Sequence, residues 1–308
     1  MTRPPIAKVA ALALSVAFVC AGCKREPSSS HRDLPASQSE ASPGFPVQVR
    51  DDLGRTVVVA SRPRRILCLL PSATETVFAL GAGDRIVGVD DFSDYPEAAT
   101  QLPKLGGLFD TGIEQALALK PDLVFVSEHS AAVTALGRGG AAVWAGGAQK
   151  FEDVFRVIEL TGALLGRVPE ATALVGEMRR QIAATEAELQ GLPLVSVYYE
   201  LDPTPYTVGP SSFIGVLISK ARGLNIVPEA LGEFPRISPE LVVSSNPSVI
   251  VGASLSVVRR RPGWDRIKAV RDEHVYTWSG AESHLLSRPG PRLPEGLRAL
   301  ARKLHPSP

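Results

Sequence analysis

Short unbroken apolar runs alternate along the chain with segments whose apolar residues recur at helical spacing. Val47-Gln48-Val49-Arg50 and Arg55-Thr56-Val57-Val58-Val59 flank Asp51-Asp52-Leu53-Gly54, which predicts a hairpin turning at Gly54. Arg65-Ile66-Leu67-Cys68-Leu69-Leu70, Ile86-Val87-Gly88-Val89 and Leu123-Val124-Phe125-Val126 read as buried strands. Ser72 and Glu75 have capping-box spacing for a helix ending near Gly81, and Thr111 and Glu114 repeat it ahead of a helix that stops before Pro121. Strands alternating with helices imply mainly parallel sheets covered on both faces.

The pattern then recurs. Glu114 precedes Pro121 by seven residues and an apolar strand follows; Glu240 precedes Pro247 by seven, and Ser248-Val249-Ile250-Val251 follows. Upstream of the second copy, a strand from Leu194 to Tyr199, a helix from Phe213 to Ala221 and a strand at Asn225-Ile226-Val227 mirror the first copy. The expected fold is α/β, with two similar lobes at 47–149 and 192–308 and a helical segment at 150–191 between them. Within that segment Ala171, Leu174, Val175, Met178 and Ile182 fall on one helical face, with Pro169 in the first turn and Gly191 past the end. A helix over 169–190 is about 33 Å long at 1.5 Å per residue, enough to join the lobes as one stiff element.

The amino terminus follows a different rule. Arg3 and Lys8 precede a short apolar run from Val9 to Val19, then Ala21-Gly22-Cys23. The run is shorter than the roughly 20 residues a bilayer span needs, so 1–23 reads as an export signal. Its Ala-Gly-Cys ending resembles a bacterial lipobox, which makes Cys23 the lipidated residue; an ordinary signal cleaved nearby is the other reading. Residues 24–46 are Ser, Pro and charge, a composition that reads as a flexible tether. With Cys20 removed in the signal and Cys23 carrying lipid, Cys68 is left as the free thiol.

Composition narrows the function classes. With 33 basic and 32 acidic side chains in 308 residues, the chain lacks the basic excess of a nucleic-acid groove. It carries no G-x-S-x-G, P-loop, H-E-x-x-H or C-x-x-C. Gly81-Ala82-Gly83 follows a helix rather than a strand and reads as a helix stop. His129 and His284 fall after apolar strands, where α/β proteins bind ligands, and each reads either as a ligand contact or as an exposed loop residue. Two histidines fall short of a metal cage.

Several segments together resemble one family. Pro71-Ser72-Ala73-Thr74-Glu75, Ala79-Leu80-Gly81-Ala82-Gly83-Asp84-Arg85-Ile86-Val87-Gly88-Val89 and Phe92-Ser93-Asp94-Tyr95-Pro96 stand in order. Leu117-Ala118-Leu119-Lys120-Pro121-Asp122-Leu123-Val124, Pro262-Gly263-Trp264 and Arg288-Pro289-Gly290-Pro291-Arg292 follow. Over about 47–305 the chain resembles the helical-backbone substrate-binding proteins of ABC importers for cobalamin, ferric siderophores and haem, nearest the cobalamin-binding branch. The resemblance implies two α/β lobes joined by one long helix, a ligand in the cleft between them, no catalysis and no cofactor. It implies a monomer held at the periplasmic or cell surface by its lipid, with permease and ATPase subunits as partners. It places Ser72, Phe92, Tyr95, His129, Tyr199, Tyr206 and Phe234 at the ligand, a corrinoid, and Glu114 and Glu240 at the permease. Leu108 and Ser127 depart from the pattern, standing where cobalamin binders carry tryptophan. A cap at a helix start is the alternative role for each glutamate, and core packing is the alternative for each aromatic; Trp264 reads as packing. Haem or a ferric siderophore is the alternative ligand. A lipid-anchored enzyme on the same scaffold would need a nucleophile–base pair or a metal, and the sequence offers neither.

Overall fold

The computed structural model describes residues 44–306. The export signal, Cys20, Cys23 and all but the last residues of the expected tether lie outside the described residues. Strands β1 (Val47–Arg50) and β2 (Thr56–Val59) form an antiparallel hairpin. Then come β3 (Ile66–Cys68), α1 (Pro71–Ala79), β4 (Ile86–Val89), α2 (Ile113–Ala118), β5 (Leu123–Val126), α3 (Ala132–Arg138) and β6 (Ala142–Ala145). Two helices, α4 (Asp153–Leu165) and α5 (Val168–Glu188), lead to β7 (Val195–Asp202), β8 (Tyr206–Thr207), α6 (Phe213–Lys220) and β9 (Gly223–Asn225). The chain ends with α7 (Pro239–Ser245), β10 (Val249–Val251), α8 (Leu255–Val258), α9 (Lys268–Arg271), β11 (Val275–Tyr276), α10 (Gly280–Ser287) and α11 (Leu293–Leu304).

The first sheet has the order β4-β3-β5-β6 and the second β9-β7-β10-β11, parallel throughout, with β8 added antiparallel to β7. In each half the second strand lies outside the first, and the third and fourth follow on the other side. The sequence echo is therefore a repeat of topology. Each sheet is buried on both faces, as crossover helices require. Ile66, Cys68 and Phe125 point into one core, and Leu67, Val124 and Val126 into another. In the second sheet Val197 and Val251 face the first core, whereas Tyr198 and Ile250 face a third, where Trp264 meets Tyr198 edge-on at 5.8 Å. The core common to both sheets is built from α1, α4, α5, α6 and α11. Ala171, Val175, Met178 and Ile182 of α5 are buried in it, as the helical spacing predicts.

Three local expectations are corrected. Pro71 occupies the first turn of α1 and Leu70 its cap position, so Ser72 lies inside the helix and Glu75 caps nothing. Gly112 takes the cap position of α2, and the Thr111 hydroxyl donates to the Gly107 carbonyl at 2.7 Å, so no capping box forms there either. The strand expected at 225–227 lies at Gly223–Asn225, because Asn225 turns its amide side chain to the Val208 carbonyl and its Oδ1 to the Val227 N–H. Phe45, counted with the tether, packs against the main core.

Candidate functional site

In parallel α/β sheets ligands collect beyond the carboxyl ends of the strands. Here those ends carry Asp90 to Tyr95 after β4, Leu70 to Ser72 after β3, Ser127 to Ser130 after β5 and Gly146 to Gln149 after β6. A cavity of about 200 Å³ lies among them, lined by Ser72, Ser127, Glu128 and Gln149 from one lobe and by Ser287 and Arg288 from the other. The Gln149 amide donates to Glu128 at 2.8 Å, and the exposed His129 imidazole lies 3.5 Å from the same carboxylate.

Two loops at this rim are stapled down, yet display aromatic rings. In the first, the Asp90 carboxylate accepts from the Phe92 N–H at 2.8 Å and from the Ser93 hydroxyl at 2.5 Å. Burial raises the Asp90 carboxyl above the ordinary aspartate range, against these hydrogen bonds and the Lys104 charge. Thr74 Oγ1 meets Ser93 Oγ at 2.7 Å, and the Lys104 ammonium donates to the Ser93 carbonyl. On this platform Phe92 is 66% exposed. The second loop, 106–112, is clasped by the Gly107 N–H to Asp110 at 2.7 Å and by the Gly106 N–H to Asp91 at 2.9 Å. Gly106 has φ +86°, and a Cβ there would lie 2.5 Å from the Asp110 carbonyl, so the turn needs glycine. Its tip, Phe109, is 91% exposed. Phe109 is not among the residues the sequence pattern assigns to the ligand, although an aromatic among Gly, Asp and Thr is a signal for it.

The second lobe adds a ribbon. The Thr207 N–H donates to the Pro235 carbonyl, the Gly209 N–H to Glu233 and the Ile237 N–H to Pro205, so 205–209 runs antiparallel to 233–237. A Cβ on Gly209 would stand 1.9 Å from the Gly232 carbonyl, and only glycine permits the approach. Tyr206 and Phe234, 41% and 48% exposed, come from the two strands of this ribbon.

Two of the expected ligand residues are otherwise engaged. Tyr199 is buried in the main core, and burial pushes its hydroxyl up to about 12; it offers a ligand little surface. Tyr95 lies under the Arg292 guanidinium, 3.9 Å from its ring centroid, with one side still in water. The two arginines of the Arg288–Arg292 motif, to which the sequence assigns no role, link the lobes: Arg288 and Arg292 both reach Glu75 on α1. His284 on α10 lies 3.5 Å from Asp94. Trp278 is half-buried against the main core beneath the Lys303 ammonium, 4.7 Å from its ring, and Trp264 is fully packed.

Glu114 and Glu240 occupy the second position of α2 and α7, the short helices that feed the third strand of each sheet. Both are exposed, and neither joins an ion pair among the described residues. Ser238, not Glu240, caps α7, through its hydroxyl to the Leu241 N–H.

Comparison with known proteins supplies the wider setting. The sequence matches the periplasmic binding protein family over residues 66–281. It is 30% identical to the uncharacterized ABC transporter substrate-binding lipoprotein YvrC of Bacillus subtilis, with 95% of each chain aligned. It is 28% identical to a cobalamin-binding protein of Halobacterium salinarum, over 96% of this chain and 83% of that one. The fold superposes on a possible iron-binding (periplasmic solute-binding) protein of Staphylococcus epidermidis with a TM-score of 0.72 and 26% identity, covering 80% of this chain and 100% of the other.

Proposed function

Since this chain belongs to the periplasmic binding protein family and is a substrate-binding protein of an ABC importer rather than an enzyme, we propose that its ligand is a corrinoid held between Phe92, Phe109, Phe234 and Tyr206. The observation that carries this reading is the pair of stapled loops that keep Phe92 and Phe109 in water at the carboxyl ends of the first sheet. Rigid exposed rings gain most from a large flat apolar partner, because burial costs them little conformational freedom. A corrin is such a face, fringed by amides that suit Ser72, Ser127 and Gln149 along the cavity wall. The relative from Halobacterium salinarum is named for the same ligand.

Haem is the second reading. It is favoured by the exposed imidazole of His129 and the exposed phenol of Tyr206, groups that haem iron takes as axial ligands. Titration of the purified protein with cyanocobalamin, haemin and a ferric hydroxamate, followed by absorbance, separates these readings. Tight cyanocobalamin binding with no haem spectrum is expected, and a haem-only response overturns the corrinoid.

We further infer that Cys23 carries the lipid that holds the body at the membrane, in line with the lipoprotein name of the Bacillus subtilis relative. Cys23→Ala then moves the protein to the soluble fraction with its ligand affinity unchanged. Glu114 and Glu240, alike in position and unpaired among the described residues, are the proposed contacts with basic residues of the permease.

A further inference from the structure

Two arginines from the 288–292 segment cross between the lobes and end on one carboxylate. Glu75 is 3% exposed on α1. Arg292 forks onto it, with Nε 2.8 Å from Oε2 and Nη2 2.5 Å from Oε1. Arg288, itself 8% exposed, places Nη1 3.3 Å from the same Oε1 and 2.6 Å from Asp94 Oδ1. Its Nη2 donates to the Phe92 carbonyl at 2.9 Å. Glu75 and Asp94 balance the two guanidinium charges, and the Arg288 hydrogen bond, with its charge, holds the Asp94 carboxyl below the usual aspartate range.

We propose that Arg288 is a positioning residue for ligand binding: it straps the 92–94 loop to the second lobe and so sets the orientation in which the Phe92 ring meets the ligand. The inference rests on the reading that Phe92 lines the ligand cleft.

The loop is fastened from its own lobe only as far as Ser93, through Asp90, Thr74 and Lys104. Among the described residues, the side-chain contacts to the Phe92 carbonyl, and to the Asp94 carboxylate beyond Ser93, come from Arg288 and His284. One planar guanidinium satisfies three acceptors on two segments of the first lobe, a geometry that an ammonium cannot reproduce. Burial removes water that would compete for those bonds. Arg288 is anchored in turn, because Pro289 and Pro291 fix the backbone that follows it, and Gly290 lies against Ser72, with its Cβ position 3.6 Å from that side chain. The strap therefore ties the aromatic platform to the second lobe before any ligand arrives.

Arg288→Met deletes all three bonds without stranding a buried charge, since Glu75 keeps Arg292 and the Asp94 side chain is half in water. Cyanocobalamin titration of Phe92→Ala is expected to show a loss of about tenfold or more, and Arg288→Met alone a comparable loss. The double variant is expected to bind no worse than about twofold below Phe92→Ala, because a deleted ring cannot be misplaced. Arg288→Lys, which keeps the charge but not the fork, falls between wild type and Arg288→Met, and carries the same cycle if the methionine variant does not fold. Without ligand, hydrogen exchange at the amides of 92–94 quickens in Arg288→Met.

Losses that multiply in the double variant would mean that Arg288 grips the ligand directly, and this overturns the proposal. Wild-type affinity in Arg288→Met overturns it too. If the wild-type protein does not take cyanocobalamin, the corrinoid reading fails while the exchange measurement still decides the strap: unchanged exchange at 92–94 sinks it, and faster exchange sustains it.

Discussion

Phe109 gives the fold almost nothing and Tyr199 gives it a great deal, and the contrast separates function from packing at single residues. A ring 91% exposed has little burial to lose, so Phe109→Ala should leave the melting temperature unchanged. The same holds for Phe92→Ala, whose ring lies over Gly107 and is otherwise in water. If both rings stack on the ligand, each alanine variant weakens binding by ~1–3 kcal/mol. Equilibrium titration beside a thermal melt checks this. Unchanged titrations for Phe109→Ala alone would move that ring to a protein-facing surface, with Phe92 left as the ligand platform. Tyr199→Ala is expected to act the other way, costing ~3–5 kcal/mol of stability as a buried aromatic deleted from the core.

At the scale of elements, α2 and α7 make the same point twice. Each is a short helix with an exposed acid at its second position, and each feeds the third strand of its sheet. A capping role is removed by the geometry, since Gly112 and Ser238 occupy the cap positions. Glu114→Gln with Glu240→Gln should therefore keep ligand affinity and lose little stability, while uptake in whole cells falls steeply and charge reversal to Arg at both sites abolishes it. Like charges facing each other at a specific interface cost several kcal/mol. Uptake at the wild-type rate by the double glutamine variant would send the docking site elsewhere. How much of these elements the sequence reveals depends on the range of the forces that make them. Leu123–Val126 is legible to the residue, and Val249–Val251 to within one, because a strand buried on both faces must be an unbroken apolar run. The face of α5 is legible because one buried stripe sets its spacing. The Ser72–Glu75 capping box misleads because Ser-x-x-Glu is a local pattern, and a non-local partner decides otherwise: Glu75 is taken by arginines more than 200 positions away. No periodicity announces such a pair. The only sign of it is a charged residue where the apolar face of α1 should continue.

At the scale of the whole molecule, the two sheets are joined by more than a connecting helix. The main core runs from Val57 and Ile66 in the first lobe through Val175 and Met178 of α5 to Val197, Leu217 and Leu300 in the second. A helix of 21 residues, about 32 Å at 1.5 Å per residue, is buried along one face in that common layer. The contacts of Arg288 and Arg292 with Glu75 add a second tie. Two lobes that share one core cannot lose their packing independently, so the body should unfold as one cooperative unit. Calorimetry is expected to show a single transition with equal van't Hoff and calorimetric enthalpies. Met178→Ala, which opens a cavity in the shared layer, should lower stability by ~2–5 kcal/mol and shift that transition whole. Two resolved transitions, or a Met178→Ala melt in which one lobe moves and the other does not, would show separate cores and return the lobes to independent hinge motion. The same rigidity bears on function. A body tied by a buried helix and a buried ion cluster presents Glu114 and Glu240 at a fixed separation, with or without ligand. Its radius of gyration, about 19 Å for a compact chain of this length, should not change within error when saturating ligand is added in small-angle scattering. A clear contraction would mean that the strap gives way on binding, and that the permease reads closure as well as charge.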